Sequence, residues 1–143
     1  MQARSAGRAL GVDIGSRRVG LALSDPTRLI SSPLSTVSLI SEKALVHRIA
    51  MLCQKHDVRT VVIGLPLSAD GSEGPGCARA RRVAEALARL GICAELQDES
   101  WSSRDAEEAL REMGASRRGL PEKVDAIAAS LILREYLEED CRP

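Results

Sequence analysis

A chain of 143 residues, 44% hydrophobic and 28% charged, has the length and composition of one globular domain spanning 1–143, able to bury roughly two-thirds of its unfolded surface. Twenty basic residues balance twenty acidic ones and Phe is absent, which argues against both a nonspecific coat for nucleic acid and an aromatic platform for stacked bases. Cys53, Cys77, Cys93 and Cys141 lack metal-finger spacing and no apolar segment approaches membrane-spanning length, so a reduced, cytoplasmic protein without membrane contact is expected.

From Arg8 to Asp25, Leu10, Val12 and Ile14 share one strand face, and Val19, Leu21 and Leu23 share the corresponding face of a second strand. Gly15-Ser16-Arg17-Arg18 is expected to turn between them. The opposite face carries Ala9, Gly11, Asp13, Gly20 and Ala22, small residues that admit a helix or ligand, with Asp13 its only charge. A third strand, broken by Pro33, is expected within Leu29 to Leu39. Ser41 caps a predicted helix to about His56, with Leu45, Ile49, Leu52 and Cys53 at helical spacing.

Thr60 to Pro66 is a continuous apolar run rich in β-branched residues, the pattern of a strand covered on both faces. A Pro- and Gly-rich loop, Pro66 to Gly76, precedes an amphipathic helix bearing Ala80, Val83, Ala84, Leu87 and Leu90 and ended by Gly91. Ile92 to Glu99 reads as a strand. Ser102 with Asp105 resembles a capping box for a helix ending at Gly114, and Pro121 suits the first turn of a final helix. Three consecutive strands followed by two helix-strand units outline an α/β, ribonuclease-H-like domain. Its mixed five-stranded sheet has helices on both faces, and about 1–7 and 139–143 are expected to be flexible ends.

Asp125 falls inside the apolar arc formed by Val124, Ile127, Ala128, Ala129, Leu131 and Ile132, so its carboxylate is expected to face the sheet. A charge there needs a metal or a basic partner, and Lys123 or Arg118 could be that partner. Asp13 can also be read as an Asx-turn residue, and Asp98-Glu99 as a solvated acidic loop. Together, however, Asp13, the Asp98-Glu99 pair and Asp125 can converge from a first strand, a later strand end and a final helix. Carboxylate oxygens suit Mg²⁺ or Mn²⁺, and two such ions about 4 Å apart can hydrolyse a phosphodiester.

Arg17, Arg18, Arg104, Arg117, Arg118 and Lys123 stand near these acids in sequence and are candidate nucleic-acid-binding residues. Arg79, Arg81 and Arg82 read as a solvated helix face. His47 and His56 lack partners for a zinc site or a triad, and neither a Gly-x-Ser-x-Gly elbow nor a Walker loop occurs.

Gly11-Val12-Asp13-Ile14-Gly15-Ser16-Arg17-Arg18-Val19-Gly20, Val62-Ile63-Gly64-Leu65-Pro66-Leu67 with Asp70-Gly71, Asp98-Glu99 and Lys123-Val124-Asp125-Ala126-Ile127-Ala128-Ala129 are the motifs of a known family. From about Leu10 to Leu137 the chain resembles the bacterial YqgF family, described both as precursor ribosomal RNA nucleases and as Holliday junction resolvases. The resemblance implies a ribonuclease-H-like fold, dependence on a divalent metal, and a cytoplasmic role in maturing the 5′ end of small-subunit (16S) ribosomal RNA. It also implies Asp13, Glu99 and Asp125 as the catalytic, metal-holding acids, with Asp98 a neighbouring candidate ligand. The chain departs from the family at Ser100-Trp101-Ser102-Ser103, where a basic residue usually follows the Asp-Glu pair.

The nuclease reading therefore stands beside a resolvase of branched DNA, which would act as a homodimer rather than a monomer, and beside a non-catalytic nucleic-acid or ribosome-assembly module. The Asp-x-Gly of the first strand also resembles the phosphate loop of actin-like ATPases, but those need a second domain that 143 residues do not supply.

Overall fold

The alternation of large and small apolar residues in the first two strands sorts the molecule into two layers on a central sheet. A computed structural model describes residues 7–67, 70–99 and 120–140, with the side chains of the final helix described from 124 to 139. Strands β1 (Arg8–Ile14), β2 (Arg18–Ser24) and β3 (Ser31–Ser38) form an antiparallel meander. Helix α1 (Glu42–His56), β4 (Val58–Pro66), α2 (Pro75–Arg89), β5 (Cys93–Glu99) and α3 (Leu120–Asp140) follow. Sheet order is β3-β2-β1-β4-β5, with β4 parallel to both β1 and β5. The fold is the mixed five-stranded α/β arrangement expected.

Leu10, Val12, Val19, Leu21, Ile63 and Leu65 face α1 and α2, where Leu45, Ile49, Val83 and Leu87 complete the larger core. On the other face Ala9, Ala22 and Val62 meet Ala129, Ile132, Leu133 and Leu137 of α3. Small strand residues there bring α3 unusually close to the sheet. A Cβ on Gly11 would lie 2.8 Å from the Ala129 carbonyl oxygen, tighter than side chains tolerate.

Ser41 caps α1, its Oγ accepting from the Ala44 N–H at 3.0 Å. Asp57, in the left-handed region at φ 55°, closes the helix by donating its N–H to the Cys53 carbonyl. The chain then enters β4 immediately, two residues before the expected start at Thr60. Pro33 does not break β3. That strand is at the sheet edge, and the register shift between Leu21 and Ala22 absorbs the proline's missing donor.

Arg18, expected in the turn, instead opens β2, with its carbonyl accepting from the Gly15 N–H at 2.8 Å. Pro75 takes the first turn of α2. The expected helix from Ser102 to Gly114 lies outside the described residues, as do 1–6 and 141–143 of the two ends. No helix among the described residues is long and apolar enough to cross a membrane.

Candidate active site

Strand alternation places Asp13 on the α3 side of β1, two positions beyond Gly11 and directly opposite Gly20 of β2. Because Gly20 has no Cβ, the backbone of α3 descends onto it at Asp125; a methyl group on Gly20 would overlap the Asp125 carbonyl. This contact delivers Asp125 to the end of β1, near enough for its charge to act on Asp13.

Glu99 reaches the same place by a longer path. It ends β5, opposite Pro66 of β4, and shares its strand face with Glu95 and Gln97, both of which bond to α3. Tyr136 donates to Glu95 Oε2 at 2.6 Å, and Gln97 donates to Glu139 Oε2 at 2.9 Å. Since β4 separates β5 from β1, Glu99 must cross it, and Gly64 leaves the lane open. A Cβ on Gly64 would stand 3.1 Å from Glu99 Oε2 and 2.7 Å from Ile132 Cδ1.

The Glu99 and Asp13 carboxyls share a hydrogen bond. Burial, reinforced by the negative charge of Asp13 and by this bond, pushes the Glu99 carboxyl up to about 8. Burial and then the charge of Asp125 raise Asp13 to about 6, while the bond with Glu99 pulls it the other way. Both carboxyls are thus raised by burial and by neighbouring negative charge, and they titrate as a pair.

Asp98 points to the other face, where its charge acts on Arg81 of α2. The alternation of β5 thus continues to its last residue and separates the two acids that the sequence left together. Among the described residues Asp125 is partnered by Arg18, whose Nε donates to its Oδ2 at 2.5 Å, while Arg118 and the Lys123 side chain, the partners the sequence suggested, lie outside the described residues. Sequence reasoning placed Arg18 among the phosphate contacts and missed this bond, as it missed the opening at Gly64; the spacing of Gly64 from Pro66 on one strand face was the signal available.

Arg17 is exposed in the β1–β2 turn, its carbonyl accepting from the Leu39 N–H at 2.8 Å. Arg104, Arg117 and Arg118 lie outside the described residues, as does the side chain of Lys123. Of the arginines on α2, Arg82 binds Glu42 through two hydrogen bonds of 2.9 and 2.7 Å, and Arg81 pairs with Glu73.

The crowded oxygens of Asp13 and Glu99, with Asp125 beside them, are hard donors under mutual repulsion, a set whose chemistry fits a hard divalent cation. Among the described residues no three acidic, His or Cys side chains are already gathered as a complete ligand group. The Arg18 guanidinium holds the third member.

Residues 7–139 match the RuvX family, described as Holliday junction resolvase. Curated relatives carrying the name "Putative pre-16S rRNA nuclease" include those of Chloroflexus aggregans, Anaeromyxobacter sp. and Myxococcus xanthus. They are 39%, 46% and 39% identical over 94%, 92% and 92% of this chain and 95%, 96% and 87% of their own. Among solved structures, Thermus thermophilus RuvC superposes with a TM-score of 0.58 at 13% identity, over 93% of this chain and 95% of that one. The fowlpox virus resolvase in complex with Holliday junction DNA gives 0.57 at 12% identity, over 94% and 99%. These two likenesses are of fold. With the matching family and the relatives spanning nearly the whole sequence, the chain belongs to the RuvX family of nucleases.

Proposed function

We propose that this protein is a metal-dependent endonuclease that hydrolyses phosphodiester bonds in structured RNA, in the 5′-end maturation of precursor 16S ribosomal RNA. The observation that carries the reading is the meeting of the Glu99 carboxyl, reaching over Gly64, with that of Asp13, the Asp125 charge alongside. Acids of no structural necessity, brought from three elements into partial burial against their own repulsion, signal a site made for a ligand. The names of the relatives support ribosomal RNA as the substrate.

Mg²⁺ or Mn²⁺, when bound, supplies Lewis-acid polarisation of the attacking water and charge neutralisation at the phosphate. Asp13, Glu99 and Asp125 would hold it. The Glu99 carboxyl would contribute its oxygens to such a ligand set, and the close contact at Gly20 keeps the Asp125 backbone in place. Arg17, Lys123 and the arginines 104, 117 and 118 are assigned to the substrate backbone.

The family description favours a second reading, a resolvase of branched DNA using the same acids, with a dimer supplying paired cuts. One assay separates them: a precursor 16S RNA fragment and a four-way DNA junction are offered to wild type, Asp13→Asn and Asp125→Asn across a Mg²⁺ and Mn²⁺ titration. The expected result is metal-dependent RNA cleavage by wild type alone. Preference for the junction transfers the site to branched DNA, and equal cleavage by all three proteins overturns the metal site.

A further inference from the structure

Arg18 and Asp125 come from positions 107 residues apart, and their bond has an unusual setting. The Arg18 side chain is 44% exposed and that of Asp125 25% exposed, so solvent reaches both members of the pair and Arg18 the more. Both backbones are fixed. Arg18 begins β2 and its carbonyl closes the turn with Gly15, while the α3 backbone at Asp125 is seated on Gly20. The choice of partner for the Asp125 carboxylate therefore belongs to side chains alone.

We infer that Arg18 is a substrate-released latch on Asp125. Without nucleic acid its guanidinium occupies the oxygen that a divalent cation would take; a backbone phosphate draws Arg18 outward and opens Asp125 to the cation. The inference rests on reading Asp13, Glu99 and Asp125 as the metal site, and makes Arg18 a positioning residue for it.

The chemistry favours exchange. A guanidinium binds phosphate as readily as carboxylate, with the same planar fork, and its partial exposure leaves it reachable from solvent. A cation approaching Asp125 while Arg18 is in place meets a positive charge at contact distance; one approaching after Arg18 has moved meets a bare carboxylate beside Asp13 and Glu99. Linkage makes the effect reciprocal, so a cation on Asp125 frees Arg18 for phosphate as much as phosphate frees Asp125 for the cation. The site is then completed on its substrate and is incomplete before it.

The test is calorimetric binding of Mn²⁺ alone to the full chain, with wild type, Arg18→Met, Arg18→Gln, Arg17→Gln, Asp13→Asn and Asp125→Asn, each checked by thermal melting so that a folded Arg18 variant is used. Both Arg18 variants are expected to bind Mn²⁺ roughly tenfold more tightly than wild type. A short RNA hairpin should strengthen Mn²⁺ binding to wild type and lose that effect in Arg18→Met.

Arg17→Gln removes the same charge one residue away, and equal tightening there would reduce the effect to net charge and overturn the latch. If Asp125→Asn weakens Mn²⁺ binding while the Arg18 variants match wild type, the latch alone fails. If Asp13→Asn and Asp125→Asn both bind as wild type does, the metal-site reading fails and the latch with it.

Discussion

Gly20 lies directly beneath the Asp125 carbonyl, so one strand glycine sets where the last helix begins to touch the sheet. The same glycine is the cross-strand partner of Asp13. Two acids remote in sequence are thus positioned by one missing side chain.

Gly20→Ala should therefore act twice. The added methyl overlaps helix backbone rather than a movable side-chain end, so α3 must shift, at a cost of about 1–3 kcal/mol as for other overpacked core sites. Urea unfolding measures that loss. Mn²⁺ binding should weaken with it, because the shift carries Asp125 away from Asp13; an alanine variant with unchanged stability would show that α3 does not rest on this residue.

The glycine could be placed on the correct face from the sequence, because period-2 alternation assigns Gly11, Asp13 and Gly20 together without any knowledge of the fold. The same rule, carried to the end of β5, separates Glu99 from Asp98. Side-chain bonds between distant elements are another matter. Nothing in the spacing of Arg18 and Asp125 marks them as partners, and the nearer basic residues Lys123 and Arg118 were the natural candidates. The left-handed turn at Asp57 was equally hidden, since an αL position without glycine leaves no compositional trace. Pro33 misled in the opposite direction: proline breaks a central strand, but β3 has only one neighbour.

A second determinant absent from the sequence reading is Asp25 in the β2–β3 turn. Its carboxylate accepts backbone N–H bonds from Thr27 at 3.1 Å, Leu29 at 2.8 Å and Ile30 at 2.7 Å. The Thr27 hydroxyl bond and these backbone bonds lower its carboxyl to about 2. Asp25→Ala should cost about 1 kcal/mol, the scale of a lost capping side chain, with Asp25→Asn costing less because one acceptor oxygen remains. A lowered carboxyl stabilises the fold above its ordinary value of 3.8 and loses that contribution as pH falls towards 2. The difference between wild type and Asp25→Ala should accordingly shrink in acid; a difference independent of pH down to 2 would place the effect in turn geometry rather than in the carboxylate.

Asp13 and Glu99 impose the opposite pH dependence. Their carboxyls rise from ordinary values of 3.8 and 4.5 to about 6 and about 8, so the folded protein holds protons that the unfolded chain releases. Their contribution to stability is complete below about pH 4 and is lost as pH rises through 6 and then 8. In EDTA, the melting temperature should fall between pH 5 and pH 9. Glu99→Gln keeps a donor for Asp13 but has no proton to lose, and should flatten the upper part of that decline. Excess Mn²⁺ should restore the wild-type melting temperature at pH 8 and have little effect at pH 5, where protons compete for the same oxygens. A wild-type melting temperature that rises with pH in EDTA would mean that the two acids are not sharing a proton, and the crowding that marks them as a ligand site would be absent.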